Sequence, residues 1–600
     1  MARGHDNPSF SDIPDSEKFS NHYIINNEND SEQSSRNAED ENDRDQWGKG
    51  IQFTLSCIAC CVGLGNVWRF PFIALQNGGG AFVIPYIIML LLVGRPGYFL
   101  EMIMGQFSSR GTIKVYDCAP AMRGVGMGQM VTILAVSTYY SSILAIALRY
   151  FFYSFNTVLP WSECKPEWTE PCYSANGIQT NDDESGNITR KSSTELYFLK
   201  EVLHARENIN DGIGSINWNL FGFLALTWIT VCLILMRGVR SSGKAAYITG
   251  IVPFIFLFIF LIRALTLPGA FNGIAFFFTP KWEDILKPGV WYAAVTQLFF
   301  SLNVFFANII MYASYNKFSH KIHRDSNIIT IIDTGTSLLA GCISFGIIGH
   351  LAHELGVDDI SKVFQGGPGL VFVTYAETIS KFRVLPQVFS VLFFLMLYIL
   401  GLGSLIAQTS CVITVIRDQF KNVKNWHAAV GYSIFGALCG SLYTTEGGQS
   451  VLNLVDHYGT TFVNFLLAVF EIMAFCHIYG VNRICKDVKF MLGFIPGIYW
   501  TVCWRVVTPL IMMAIIVYHF IYYENPKDNG AEFPFIAHVV GWCITASGLI
   551  WLPLIIIWSI SKQNEKTFVD RVKSAFRPTK NWGPLNSSLL LKYQEFLKTN

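Results

Sequence analysis

Apolar runs close to the roughly twenty residues needed to cross a bilayer as a helix recur about twelve times in this chain. They lie near residues 51–76, 80–104, 128–159, 219–237, 246–267 and 291–315, then 327–351, 387–415, 427–444, 455–480, 496–521 and 539–562. Inside hydrocarbon only helices and closed barrels pair every backbone N–H and C=O, and runs this long read as helices. Only 14% of the 600 residues are charged and 51% are hydrophobic, against about 25% charged in soluble domains. The expected fold class is therefore an all-α polytopic membrane protein. A net charge of +1 excludes a strongly basic nucleic-acid binder. Residues 1–43 are polar and acidic with no apolar signal core, and read as a disordered tail.

An even number of spans places both termini on one side. Arg110, Lys114 and Arg123 follow the second run and Lys317, Lys321 and Arg324 the sixth, and the C-terminal residues 563–600 are rich in Lys and Arg. The positive-inside rule makes these regions and both termini cytoplasmic. The long loop 160–218 is then extracellular. It holds Cys164 and Cys172, read as a disulfide, and the glycosylation sequon at Asn187. No Cys/His cluster has zinc spacing.

Two runs are interrupted where a plain membrane helix has no reason to be. The first carries Val62-Gly63-Leu64-Gly65-Asn66-Val67-Trp68-Arg69-Phe70-Pro71, and the sixth carries Gln297 through Asn308 with Ser301 and Asn303 inside it. Freed backbone groups in a bilayer must be satisfied by protein, ion or water, and an intramembrane arginine is a functional-site hypothesis by default. Each interrupted run begins a block of five, and broken helices at matching positions of two halves point to a midplane site between inverted repeats. Polar residues in the sixth run also suit ordinary interhelical hydrogen bonding. Beside the first break, the site reading prevails.

WGKGIQF from Trp47, VGLGNVWRFP, QNGGGAFVIPY from Gln76, QLFFSL, YASYNKF from Tyr312 and GLGSLIAQ from Gly401 resemble the neurotransmitter:sodium symporter family from about Arg44 to Lys562. SYNKFSHKIHRDS, IIDTGTSLLAG and GGPGLVFVTYAETISKF are most similar to its insect nutrient amino acid transporters. The resemblance implies twelve helices over residues 44–562, as two inverted five-helix repeats with helices one and six broken, plus two extra helices. It implies a first sodium site at the Cys61 carbonyl, Asn66, Ser301 and Asp333, and a second at Ala59, Val62, Leu400, Gly403 and Ser404. The chain departs from the family at Asp333, usually Asn, which adds a negative charge to a cation site. It departs again at Gly403, usually Thr or Asp, which weakens the second site. Asp333 also suits a structural ion pair.

Tyr86, Gln297, Ser301 and Ser337 match the residues that hold chloride in dependent relatives, so chloride is expected to stimulate transport without being required. Gly63 stands where monoamine carriers have Asp, leaving room for a substrate carboxylate at a half-helix N-terminus, with Tyr140 as a second contact. The amine is expected at carbonyls near Cys60 and in the Phe300–Asn303 break, and Val136, Phe300, Phe306 and Ser404 are expected to line the side-chain pocket. Asn303, Leu405 and Gln408 add shape and polarity, and Phe305 is expected to narrow the pocket. No charged side chain aligns there, which implies a neutral amino acid.

Arg69 with Asp456 is the expected outer gate, and Arg44 with Asp418, braced by Tyr315, the inner one. The implied function is sodium-coupled import of neutral amino acids across the plasma membrane by alternating access, without enzymatic chemistry. The oligomeric state is not implied. A carrier for osmolytes or GABA-like amino acids, a ligand-gated pore, and a receptor of the same fold that binds without transporting share these features. Substrate-dependent accumulation separates the transporter readings from the last two.

Overall fold

The computed structural model describes residues 44–174, 191–206, 209–210, 212–356, 370–382, 385–420, 422–528 and 531–599. The 1–43 tail and Asn187 lie outside the described residues. Helices dominate, and the strands among the described residues are two short pairs, Cys172–Tyr173 with Lys191–Ser192 and Lys527–Asp528 with Ala531–Glu532.

Each of the twelve apolar runs falls on helix. The first is a bent pair, α1 (Gly50–Cys61) and α2 (Gly65–Gln76), meeting at 43°. Next come α3 (Gly80–Ser108), α4 (Pro120–Tyr153), α5 (Trp218–Leu235) and α6 (Val239–Leu265). The sixth run is split into α7 (Pro288–Leu302) and α8 (Asn308–Ala313). The rest are α9 (Ile322–Glu354), α10 (Pro386–Gln419), the shorter α11 (Asn425–Gly440), α12 (Gly448–Leu492), α13 (Ile498–Ile521) and α14 (Phe535–Ser561). Local chemistry marks several starts. Pro288 and Pro386 sit in first turns, where a missing N–H costs nothing, and the Asn217 side chain accepts from Leu220 N at 3.2 Å to cap α5.

Burial sorts the helices into two shells. The most apolar stretches of α4 and α10 are 78% and 72% buried, whereas those of α5, α6, α13 and α14 are 33%, 33%, 33% and 22% buried. On α6 the exposed side chains include Ile251, Ile255, Phe258 and Ile262, an outward apolar stripe suited to lipid. The inner helices carry the polar residues. α10 packs on α4, on α6 and on α1, and α2 packs on α9, so both breaks lie inside the bundle.

Cys164 and Cys172 are joined by a disulfide in the loop between α4 and α5. Beyond α14 the chain does not trail away. α15 (Phe568–Ala575) and α16 (Ser587–Thr599) follow, and Tyr593 Oη donates to Asp487 Oδ1 on α12 at 2.6 Å.

Candidate substrate and cation site

A cavity of about 410 Å³ opens beside the two breaks. Gly63, Val136, Tyr140, Phe300, Asn303, Phe306 and Ser404 line it as expected, with Gln408 beside them. Cys60 is not on its wall; the Cys60 carbonyl is occupied by Asn303 Nδ2 at 2.8 Å and Ser404 Oγ at 3.0 Å. Cys61 lines the cavity instead.

The first break spans residues 62–64, and side chains hold its freed groups. Gly63 N donates to Asn66 Oδ1 at 3.1 Å, Leu64 N to Tyr140 Oη at 3.4 Å, and Gln297 Nε2 to the Gly65 carbonyl at 3.1 Å. Space at Gly63 is tight. An added Cβ would stand 2.7 Å from Ser404 Oγ and 3.3 Å from Tyr140 Oη.

Behind the cavity wall lies an oxygen-rich cage. Asn66 Nδ2 is 2.8 Å from Asp333 Oδ1, 2.9 Å from Ser337 Oγ, 3.0 Å from Ser301 Oγ and 3.3 Å from the Asp333 carbonyl. Ser301 Oγ also donates to Asp333, at 2.9 Å. An amide nitrogen has two hydrogens for those four oxygens, and carboxylate, hydroxyl and carbonyl oxygens are the donor types a hard cation takes. Asn66, Ser301 and Asp333 are fully buried. The donor set fits sodium.

The other expected sets are met less completely. Tyr86 Oη and Gln297 Oε1 are buried and have no hydrogen-bond partner among the described residues, while the neighbours of Tyr86 include Ser301 and Ser337. At the second sodium set, Ser404 Oγ is turned to the Cys60 carbonyl. A Cβ on Gly403 would meet the Ala59 carbonyl at 2.5 Å, so glycine there goes with close contact between α10 and α1. Leu400, Ala59 and Val62 are buried at this contact.

Two expectations need correction. Phe305 does not narrow the cavity. It is fully buried behind the wall, where its ring lies 5.3 Å from that of Phe299 and fills the hollow left by Gly97, whose added Cβ would meet Phe305 Cζ at 2.6 Å. The reason is backbone direction: φ is positive at Asn303, Phe305 and Ala307, at 51°, 63° and 63°, which turns the Phe305 side chain toward α3. The Arg69–Asp456 ion pair is also not formed. Both residues line the cavity, but the Arg69 guanidinium sits 3.8 Å over the Phe300 ring and Asp456 accepts from Tyr139 Oη at 2.7 Å. At the opposite end, Arg44 Nη1 does reach Asp418 Oδ2 at 3.3 Å, with the guanidinium 4.5 Å over Tyr315. Of the two expected gate pairs, Arg44–Asp418 is in contact and Arg69–Asp456 is not.

Sequence reasoning missed the brace behind the second break. Glu101 Oε2 accepts from Phe305 N at 2.8 Å, and Gln129 Nε2 donates to the Phe305 carbonyl at 3.0 Å and to Glu471. The signal was present, since both carboxylates stand within apolar runs.

The profile of the sodium:neurotransmitter symporter family matches residues 44–563. The chain belongs to the sodium:neurotransmitter symporter family. It is therefore a multi-span helical membrane transporter and not an enzyme. Similar proteins include sodium-dependent nutrient amino acid transporter 1 of Drosophila ananassae, 44% identical over 599 residues covering 95% of this chain and 94% of the relative. The proteins of that name from Drosophila melanogaster and Drosophila willistoni are 45% and 46% identical, each over 91% of this chain and 88% of the relative.

Proposed function

We propose that this chain imports neutral amino acids across the plasma membrane, coupled to sodium, with both termini cytoplasmic. The observation that carries the reading is the buried cage of Asn66, Ser301 and Asp333 directly behind Gly63 and the first break. A cation in the cage stands against a substrate carboxylate at Gly63, and each raises the affinity for the other. The cavity beside it is walled by Val136, Ile143, Phe300 and Phe306, with Asn303, Ser404 and Gln408 as its polar groups. Its two charged residues, Arg69 and Asp456, stand at the expected outer gate. A charged substrate side chain would enter that pocket without a partner.

In the cycle, sodium and amino acid fill the site from the Arg69 side. Arg69 then leaves Phe300 for Asp456, and the Arg44–Asp418 contact opens. Chloride held by Tyr86, Gln297, Ser301 and Ser337 stimulates this without being required, because the Asp333 carboxylate supplies part of the negative charge. The transporter domain is 44–562. Two-electrode recordings on expressing cells test the reading. Neutral amino acids should evoke inward current that vanishes in choline and only falls when gluconate replaces chloride. Surface protein with neither current nor sodium-dependent uptake would overturn it.

A further inference from the structure

A second large cavity lies far from the substrate site, between the loop that follows α3 and the segment joining α15 to α16. Its volume is about 420 Å³. Four cationic residues line it, Arg110, Lys114, Arg123 and Lys580, against one carboxylate, Asp117. That carboxylate is already engaged: Arg110 donates to its Oδ2, and Arg123 Nε donates to Oδ1 at 2.8 Å. Positive charge therefore remains in the pocket.

Polar groups there are also left over. Arg110 is 10% exposed, yet its Nε has no hydrogen-bond partner among the described residues, and neither does the buried Thr579 Oγ1 on the opposite wall. Buried unpaired donors call for an explanation such as an absent ion. Arginine and lysine donors converging from two segments match a phosphate, which has several acceptor oxygens.

The two walls are tied together beside the expected inner gate. Thr579 N donates to the Asp117 carbonyl at 3.0 Å, and Arg110 Nη2 to the Asn581 carbonyl. Lys114 Nζ donates to the carbonyl of Asp418, whose carboxylate receives Arg44 at 3.3 Å.

We propose that this pocket binds a phosphate-bearing anion, which clamps the 577–586 segment to the loop after α3 and steadies the Arg44–Asp418 contact. The gating consequence rests on the transport cycle proposed above; the binding itself does not. Basic pockets at the cytoplasmic ends of membrane helices take phosphorylated lipid headgroups, and a soluble polyphosphate offers the same chemistry.

The test is native mass spectrometry on the full chain without sodium or amino acid. One arm adds inositol hexakisphosphate, and the other uses nanodiscs containing phosphatidylinositol 4,5-bisphosphate. The wild-type chain should retain one anion, and Arg123→Gln with Lys580→Gln should bind about tenfold more weakly. Lys580→Gln alone, at an exposed position, should lie between them and guards against misfolding. Retention of the inositol phosphate identifies a soluble ligand, and retention of the lipid alone identifies a headgroup. No binding in either arm, or equal binding by the double variant, overturns the proposal, whatever the recordings show about transport.

Discussion

The two helix breaks interrupt the membrane within a few ångströms of each other and solve the same problem differently. At the first, φ stays negative, at −76° for Val62 and −60° for Leu64. What it requires is room, supplied by Gly63. At the second, three L-residues, Asn303, Phe305 and Ala307, hold left-handed backbone, at a cost of roughly 1–2 kcal/mol each. What it requires is support, supplied by Glu101, Gln129 and Glu471 from three other helices. Both breaks border the cavity, but at the first the tight quantity is space around Gly63, and at the second it is backbone conformation.

Removing the support should have the largest effect. Glu101→Ala leaves Phe305 N–H unpaired in the buried core, at about 1–3 kcal/mol, in a segment already strained. Surface biotinylation should show most of the protein lost; normal surface levels and uptake would mean the brace is idle. Removing the room should come next. Gly63→Ala should reach the surface but lower substrate affinity more than about tenfold, a cost near 1.4 kcal/mol. Adding Ser404→Ala should recover part of it, because Ser404 Oγ is the nearest atom to the new methyl. Unchanged uptake in the single variant would remove Gly63 from the site.

A third change separates charge from shape. Asp333→Asn keeps the cage but removes its charge, and the sodium concentration for half-maximal current should rise about fivefold, near 1 kcal/mol. A sodium curve that does not move would leave Asp333 a structural role only. The smallest effect sharpens the contrast from the other side. Ala307→Gly relieves positive φ at no loss of side-chain contact beyond one methyl, and should stabilise by up to about 1 kcal/mol. The thermal midpoint of purified protein should rise slightly. A fall would mean that the Ala307 methyl packs better than its backbone strains.

Much of the site was readable in one dimension. Residues 62–71 combine types that a bilayer excludes unless something binds there, and Ser301 and Asn303 stood out within the sixth run, whereas Asp333 was singled out only by the family resemblance. The structure brings Asn66, Ser301, Ser337 and Asp333 together, a grouping that only the family resemblance implied. Phe305 shows the limit. Its identity suggested a narrower pocket, but which way a side chain points at a break depends on φ, and no helical period applies there. Gly97 was equally silent: a glycine in an apolar helix reads as a packing residue until the ring that fills its hollow is located. The gates differ for another reason. Arg69 and Asp456 share one cavity, yet whether they touch is a property of the conformational state, which no sequence specifies.

Composition and apolar run length determined that this is a many-span helical membrane protein, because a bilayer allows few ways to satisfy a backbone. The polar interruptions marked the two breaks beside which the cavity opens. Tertiary structure decided which side chain serves each freed group, as with Glu101 at Phe305 and Asn303 and Ser404 at the Cys60 carbonyl. Those pairings join residues up to 344 positions apart, and only the packing of α1, α3, α7 and α10 brings their atoms within hydrogen-bonding distance.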